Sequence, residues 1–283
     1  MPRRRQPTAR QARLGAELQK LREAAGLTGR EAAAALGTDA GRLSQIESGV
    51  AGVSGETVRR LAANFACADS ELVGALVAMA TDRADGWWEE YRSLLPTPFL
   101  DLSELEHHAT FYQDVSFLHV PGLLQTEDYA RRVLGHRVPQ LPEGELDLRV
   151  RHRLARRVIL EGDRPTSYEA VIHEAALRIR VGNRPAARNQ LTRIVEFSEA
   201  DHITVRVIPF DLDDFSGADS AMVYVGGAIP RLDTVVRDGP HGTAFIDAEA
   251  QLGRFRTLFH RMEAASLDPA RSRDFIHQLA KEL

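Results

Sequence analysis

Between Arg10 and Ala25, Leu14, Leu18 and Leu21 recur at i, i+4 and i+7 among polar residues, the period of an amphipathic helix that Gly26 stops. Thr28, with Glu31 three residues on, makes a capping box, and the alanine-rich run behind it predicts a short second helix ending at Gly37. Thr38 or Asp39 can cap a third helix of about Asp39 to Ser48, with Leu43 and Ile46 inward and Gly49 closing it. Ser54 and Asp69 open two more amphipathic segments. Their expected core is Val58, Leu61, Phe65, Leu72, Leu76 and Met79.

Beyond Ala80 the pattern changes. "DGWWEEYRSLL" predicts an aromatic helix in which Trp87, Trp88 and Tyr91 share a packing face; Pro96 and Pro98 break it. A further helix is expected from about Ser103 to before Pro121, then one capped by Thr126 and closed by Gly135, then a basic one from Leu146 to Leu160. After Pro165 the period moves towards two. "YEAVIHEAAL", "ITVRVIPF", "AMVYVGG", "LDTVVRD" and "TAFIDA" are alternating or β-branched runs bounded by Gly, Pro and Asp, with a helix over 185–199 between the first two. Helix returns over 249–279. The expected class is α+β: a five-helix domain over 1–80, then connector helices and an α/β domain over 81–283, its mixed sheet flanked by helices.

A length of 283 residues agrees with two domains, and 43% hydrophobic with 27% charged residues is ordinary globular composition. No apolar run approaches the roughly 20 residues that span a bilayer, and the basic start leads into polar residues, so a cytoplasmic protein is expected. Cys67 is the single cysteine, which excludes an internal disulfide and a multi-cysteine zinc site; it is expected to be a buried thiol. Of 36 basic residues only Lys20 and Lys281 are lysine, and neither lies in a phosphate-loop, Schiff-base or Ser-x-x-Lys setting. His-Glu-x-x-His, Gly-x-Gly-x-x-Gly and a nucleophile elbow are absent too. An enzyme is not expected, nor a metal or cofactor.

The net charge of −4 conceals an asymmetry. Residues 1–60 hold 11 Arg and Lys against 6 Asp and Glu; the rest holds 25 against 34. A basic module joined to an acidic domain fits a nucleic-acid binder.

Residues 27–72, "LTGREAAAALGTDAGRLSQIESGVAGVSGETVRRLAANFACADSEL", resemble the Xre (Cro-like) helix-turn-helix type in spacing over their whole length. The resemblance implies that the third helix enters the major groove of double-stranded DNA while the second crosses the backbone, and that the protein works as a homodimer on paired half-sites. The outward residues of the third helix are Ala40, Gly41, Arg42, Ser44 and Gln45. Arg42 could bond guanine and Gln45 adenine; the alternative is that Arg42 touches only phosphate and Gln45 only water. Gly29 replaces the glutamine usual after the threonine, so Arg30 or the Thr28 hydroxyl would supply the backbone contact. Arg22 and Glu47 occupy the positions of an interhelical ion pair. Arg3, Arg4 and Arg5, with Arg10 and Arg13, read as an arm for phosphate or minor groove, or as a solvated tail.

The second domain resembles the domain of unknown function behind Xre-type modules in a large family of actinomycete regulators. "PGLLQT", the arginines at 156–157, "HEAALR", the Gln190-Leu191 pair, "VRVIPF" and "DPARSRDFI" carry the likeness. Arg157 stands where that family often has glutamine. The resemblance implies a regulator, comparable with antitoxins that hold a small neighbour-encoded partner; with catalytic motifs absent from the sequence, a C-terminal domain that senses a ligand or a protein is the expectation. His173 and Glu174, at a strand end, are the candidate ligand contacts.

Overall fold

The computed structural model describes residues 7–82, 86–136, 138–213, 215, 221–239 and 242–283. The chain divides into two units: one runs up to Arg92 and takes in Thr97–Leu105, the other comprises Ser93–Pro96 and Glu106–Leu283. The first unit thus reaches past residue 80, where the hydrophobic pattern changes. A long-range hydrogen bond accounts for part of the extension, since Asp101 Oδ1 accepts the Ala9 N–H at 2.9 Å.

Five helices open the first unit: α1 (Ala9–Ala24), α2 (Gly29–Leu36), α3 (Ala40–Glu47), α4 (Gly55–Asn64) and α5 (Ser70–Thr81). Each begins at a polar cap, Thr8, Thr28, Asp39, Ser54 and Asp69, whose side chain accepts an N–H of the first turn. Leu14, Leu18, Leu21, Val58, Leu61, Phe65, Leu72 and Leu76 are buried together, as their spacing predicts. Met79 and Cys67 are only half-buried. For Cys67 the reason is local: α4 stops before it, and Ala66 at φ +52° turns the chain away from the helical path.

The aromatic segment forms a 3-10 turn over Trp87–Tyr91 in place of an α-helix. Trp88 and Tyr91 are buried, and Trp87 stands edge-on to both. Pro98 opens a helix instead of breaking one. It lies in the first turn of α6 (Thr97–His107), where a missing N–H costs nothing. The chain then departs from the expected long helix, because Phe111–Ser116 is a strand, β1.

The second unit is built on a six-stranded sheet. β2 (Ser167–His173), β3 (Ile203–Ile208), β4 (Met222–Gly226), β5 (Thr234–Gly239) and β6 (Gly242–Ile246) join β1 in the order β3-β2-β1-β4-β5-β6. β1, β2 and β3 run parallel, and β4, β5 and β6 continue antiparallel from the β1 edge. Between the strands lie α7 (Glu127–Gly135), α8 (Glu143–Ala155), α9 (Val158–Glu161), α10 (Glu174–Arg178) and α11 (Arg184–Phe197). The expected basic helix over 146–160 is therefore two helices, interrupted at Arg156 and Arg157. The final helical stretch is likewise split into α12 (Glu249–Ala264) and α13 (Pro269–Glu282), with Asp268 capping the second.

One sheet face packs Val115, Val171, Ile208, Met222, Tyr224 and Val235 against Leu252, Phe259 and Met262 of α12. The opposite face carries Tyr112, Tyr168, Ala170 and Ile172, all buried. The outer edge of β3 is closed by the start of α13: Leu267 N–H donates to Val207 O at 2.8 Å and Ser272 Oγ accepts Val207 N–H at 3.0 Å.

Candidate nucleic-acid interface

α2 and α3 are joined by a turn at Gly37, whose left-handed backbone (φ +71°) lets Thr38 N–H reach Ala33 O at 2.9 Å. Arg60 of α4 donates to Leu36 O at 3.1 Å and holds the end of α2. Leu43 and Ile46 point inward from α3. Ala40, Gly41, Arg42, Ser44 and Gln45 are all exposed, so the five residues expected outward form one solvent-facing surface. Asp39 accepts the Arg42 N–H at 2.9 Å, which makes it the cap of α3. The Arg42 guanidinium donates to Gly52 O at 3.3 Å, in the loop after α3.

At the start of α2, Thr28 and Arg30 are exposed. The Thr28 hydroxyl donates to Glu31 Oε2 at 2.7 Å and the Thr28 N–H to the same oxygen at 2.8 Å; these bonds hold the Glu31 carboxyl below its ordinary pKa. A phosphate contact from that hydroxyl competes with the cap. Among the described residues no hydrogen bond engages the exposed guanidinium of Arg30. Arg3, Arg4 and Arg5 lie outside the described residues.

Arg10 and Arg13 belong to α1 and not to a free arm. Arg13 is buried with its Nε 3.4 Å from Glu17 Oε1.

The scaffold behind α3 is tight. Arg22 Nε donates to Glu47 Oε1 at 2.6 Å and Nη2 to Oε2 at 3.1 Å, while Nη1 donates to Leu27 O at 2.8 Å. The bidentate bond to Glu47 holds the Arg22 pKa above its usual value. Gly15 of α1 lies so close to the end of α3 that a Cβ there would stand 2.4 Å from Glu47 O and 2.6 Å from Ile46 O. Gly49 meets α1 as closely, 2.7 Å from Ala12 N for the same added atom, at φ +72°. Two glycines therefore let α1 seat the carbonyl end of α3 against its backbone.

In the second unit His173 ends β2 and caps α10, its Nδ1 accepting the Ala175 N–H at 3.2 Å. Its ring is surrounded by Phe117, Phe210 and Phe215, with centroids 5.9, 5.3 and 5.8 Å away, and burial lowers its pKa. Glu174 is buried: one oxygen pairs with Arg178 and the other accepts the Phe210 N–H at 2.8 Å. Both carboxylate oxygens serve the fold.

A polar cluster on the opposite sheet face escaped the sequence reading. Arg156 donates through Nε to Glu106 Oε2 at 2.9 Å and through Nη2 to Glu106 Oε1 at 2.5 Å, and reaches Tyr112 Oη at 3.3 Å. Beside it Asp114 accepts from Ser116 Oγ at 3.0 Å and Tyr168 Oη at 3.5 Å. Burial works against the Arg156 charge, but Glu106 more than restores it and the pKa rises. Nearby His152 is pushed down to about 3, by burial first and then by Arg156 and Arg153. The signal available was Asp114 itself, a charge inside the short run "FYQDVS" that carries Phe111, Tyr112 and Val115. The "PGLLQT" loop meets the two-arginine pair here: Gln125 accepts from Arg153 through Oε1 at 2.9 Å and from Arg157 through its carbonyl, and Gln190 donates to Leu124 O at 2.8 Å.

Among the described residues no helix is long and apolar enough to cross a membrane. Comparison with protein-family profiles matches residues 13–74 to a helix-turn-helix domain, which supports DNA binding and transcription regulation. Residues 99–278 match a second family, described as a domain of unknown function (DUF5753). Comparison with curated proteins and with solved structures gave no match. With that second match covering well over half its length, the chain belongs to the DUF5753 family and carries a helix-turn-helix domain in front of it.

Proposed function

We propose that this protein is a sequence-specific transcriptional regulator, acting in the cytoplasm as a homodimer, whose second unit senses a ligand or a protein. The observation that carries the reading is the outer face of α3, where Arg42, Ser44 and Gln45 stand exposed on a helix backed by Leu43, Ile46 and the Arg22–Glu47 pair. A helix fixed in this way presents side chains to the major groove without first having to order. The dimer follows from affinity, since one short helix on one half-site gives a small interface. Catalysis has no part in the proposal.

Footprinting on the promoter region beside its own gene tests the function. The purified protein should protect a discrete site there, and Arg42→Ala should relax base preference by about 1–3 kcal/mol at one position. Equal affinity for that DNA and for random duplex at physiological salt defeats the proposal.

A second reading, in which the second unit holds a small neighbour-encoded protein, is favoured by exposed apolar side chains at the carboxyl ends of β1 and β3. Leu118 is 61% exposed and Phe210 59%. Co-purification of that neighbour with the intact chain, lost on Phe210→Asp, supports it; a chain that leaves cells unaccompanied counts against it.

A further inference from the structure

We propose that two copies of this chain join edge to edge through β6, antiparallel about a twofold axis at Ala244, into one continuous sheet. The homodimer belongs to the regulator reading above, on which this rests; what is added is the surface that makes it.

The sheet ends in two different ways. At the β3 edge, Leu267 N–H donates to Val207 O at 2.8 Å and Ser272 Oγ accepts Val207 N–H at 3.0 Å, so α13 covers it. At the other edge β6 pairs with β5, and among the described residues no backbone group bonds its outer side. Alternate residues of an antiparallel strand turn N–H and C=O outward, so that side is a row of open donors and acceptors. Proteins ordinarily blunt such an edge with proline, lysine or an inward-pointing charge. Residues 242–246, "GTAFI", hold no proline and no charge, and Gly242 and Ala244 stand exposed.

A second copy is the occupant that leaves nothing open. Joined at β6, the two sheets form one whose outer strands are both β3, each covered by its own α13. A strand donated by another chain would leave its own outer edge open instead. A twofold pairing is also closed, so growth stops at two copies. Centring it on Ala244 keeps all five residues of each strand paired. Phe245 then faces Thr243 of the second copy and Ile246 faces Gly242 of the second copy, with no like charges opposed along the strand.

The apolar surface at this edge is incomplete in one copy. Ile246, opposite Val235, and Phe255 of α12 pack against the core and stay half-buried; on the other sheet face Phe245, opposite Val236, is half-buried too. The Arg237 guanidinium of β5 lies 5.8 Å from the Phe255 ring centroid, which sets α12 over the strand beside the edge. The twofold axis of an antiparallel strand pair stands perpendicular to the sheet. Both copies of α12 therefore come to one face of the joined sheet, flanking the junction, and add helix surface to the strand pair. A specific interface buries about 1,200–2,000 Å² in total, more than five paired residues supply.

Sedimentation velocity of the intact protein, without DNA, reads the association. Residue 244 faces itself across the axis, so Ala244→Lys opposes two ammoniums and Ala244→Glu two carboxylates. Each variant alone should weaken the dimer at least tenfold (about 1.4 kcal/mol), and an equal mixture of the two should restore it, because unlike charges then meet. Circular dichroism establishes that both are folded. In a Cys67→Ser background, Ala244→Cys oxidised with diamide should cross-link the two copies, since opposed Cα atoms of an antiparallel pair lie about 4.5–5.5 Å apart. This cysteine variant keeps the test decisive should either charge variant unfold. A dimeric parent that does not cross-link through position 244 overturns the junction and leaves the homodimer standing; so do folded charge variants that stay dimeric, or that mixing does not restore. A parent that is monomeric at about 100 µM overturns the homodimer and the junction together.

Discussion

Asp114 lies in the middle of β1, a central strand, and is only 5% exposed. Burial raises its pKa to about 6, with the Ser116 hydroxyl, Arg156 and the Tyr168 hydroxyl opposing the rise. In the unfolded chain the same carboxyl titrates near 4. Because the folded value is the higher, the contribution of this group to stability is fully present below about pH 4 and is lost as pH rises through about 6. Between pH 4.5 and 7 the difference in proton binding integrates to about 2 kcal/mol. Asp114→Asn removes the titration while its carbonyl can still accept from Ser116. Urea unfolding followed by circular dichroism, run on both proteins at several pH values, reads the effect. The gain of the asparagine variant over the parent should grow by about 2 kcal/mol from pH 4.5 to pH 7, with the urea slope unchanged. A difference that stays constant with pH, or that is larger at pH 4.5, refutes the assignment of a raised pKa to this carboxyl.

Gly15→Ala favours α1 by about 1 kcal/mol in helix propensity, yet its methyl group would meet the Glu47 carbonyl at 2.4 Å. A helix carbonyl has little room to yield to that methyl group, so a net loss of about 1–3 kcal/mol is expected, read as a lower melting temperature together with weaker DNA binding. Glu106→Ala leaves the buried Arg156 without its carboxylate, and a loss of about 3–5 kcal/mol is expected in urea unfolding. Replacing both residues together by apolar ones should recover much of that loss, since the cost comes from the stranded charge.

Most of the first unit was legible in the sequence because its helices begin and end on local signals. Thr28 with Glu31, Asp39, Ser54 and Asp69 each act within one turn, and Gly37 and Gly49 adopt the left-handed backbone that their positions suggested. The outward face of α3 followed from Leu43 and Ile46 alone. The second unit was harder for a physical reason. β1 is buried on both faces, so its alternation is blurred: Tyr112 and Asp114 lie on one face and Val115 on the other, and a six-residue run next to a helix reads as its continuation. The breaks at Arg156–Arg157 and at Asp268 carry no glycine, and proline enters only at 269, inside the helix that follows. Nothing local gave away the Arg156–Glu106 pair, whose members stand 50 residues apart in sequence. His173 is the last residue of β2 and Glu174 the first of α10, and the sequence could not show that Glu174 is already engaged by Arg178 and the Phe210 amide.

The position of β1 also sets an order of events during synthesis. Phe111 pairs with Ser167 on one side and with Gly226 on the other, so the central strand emerges long before either neighbour exists. At about 5–20 residues per second, the wait for the farther neighbour lasts on the order of 5–20 s, during which β1 has two open edges. The residues of the first unit end at Leu105, so all of them have emerged before that interval ends. A nascent chain thus carries a fully emerged DNA-binding module ahead of an unfinished sheet, and the late arrival of β4 is the step at which the growing protein is most exposed to mispairing with another chain.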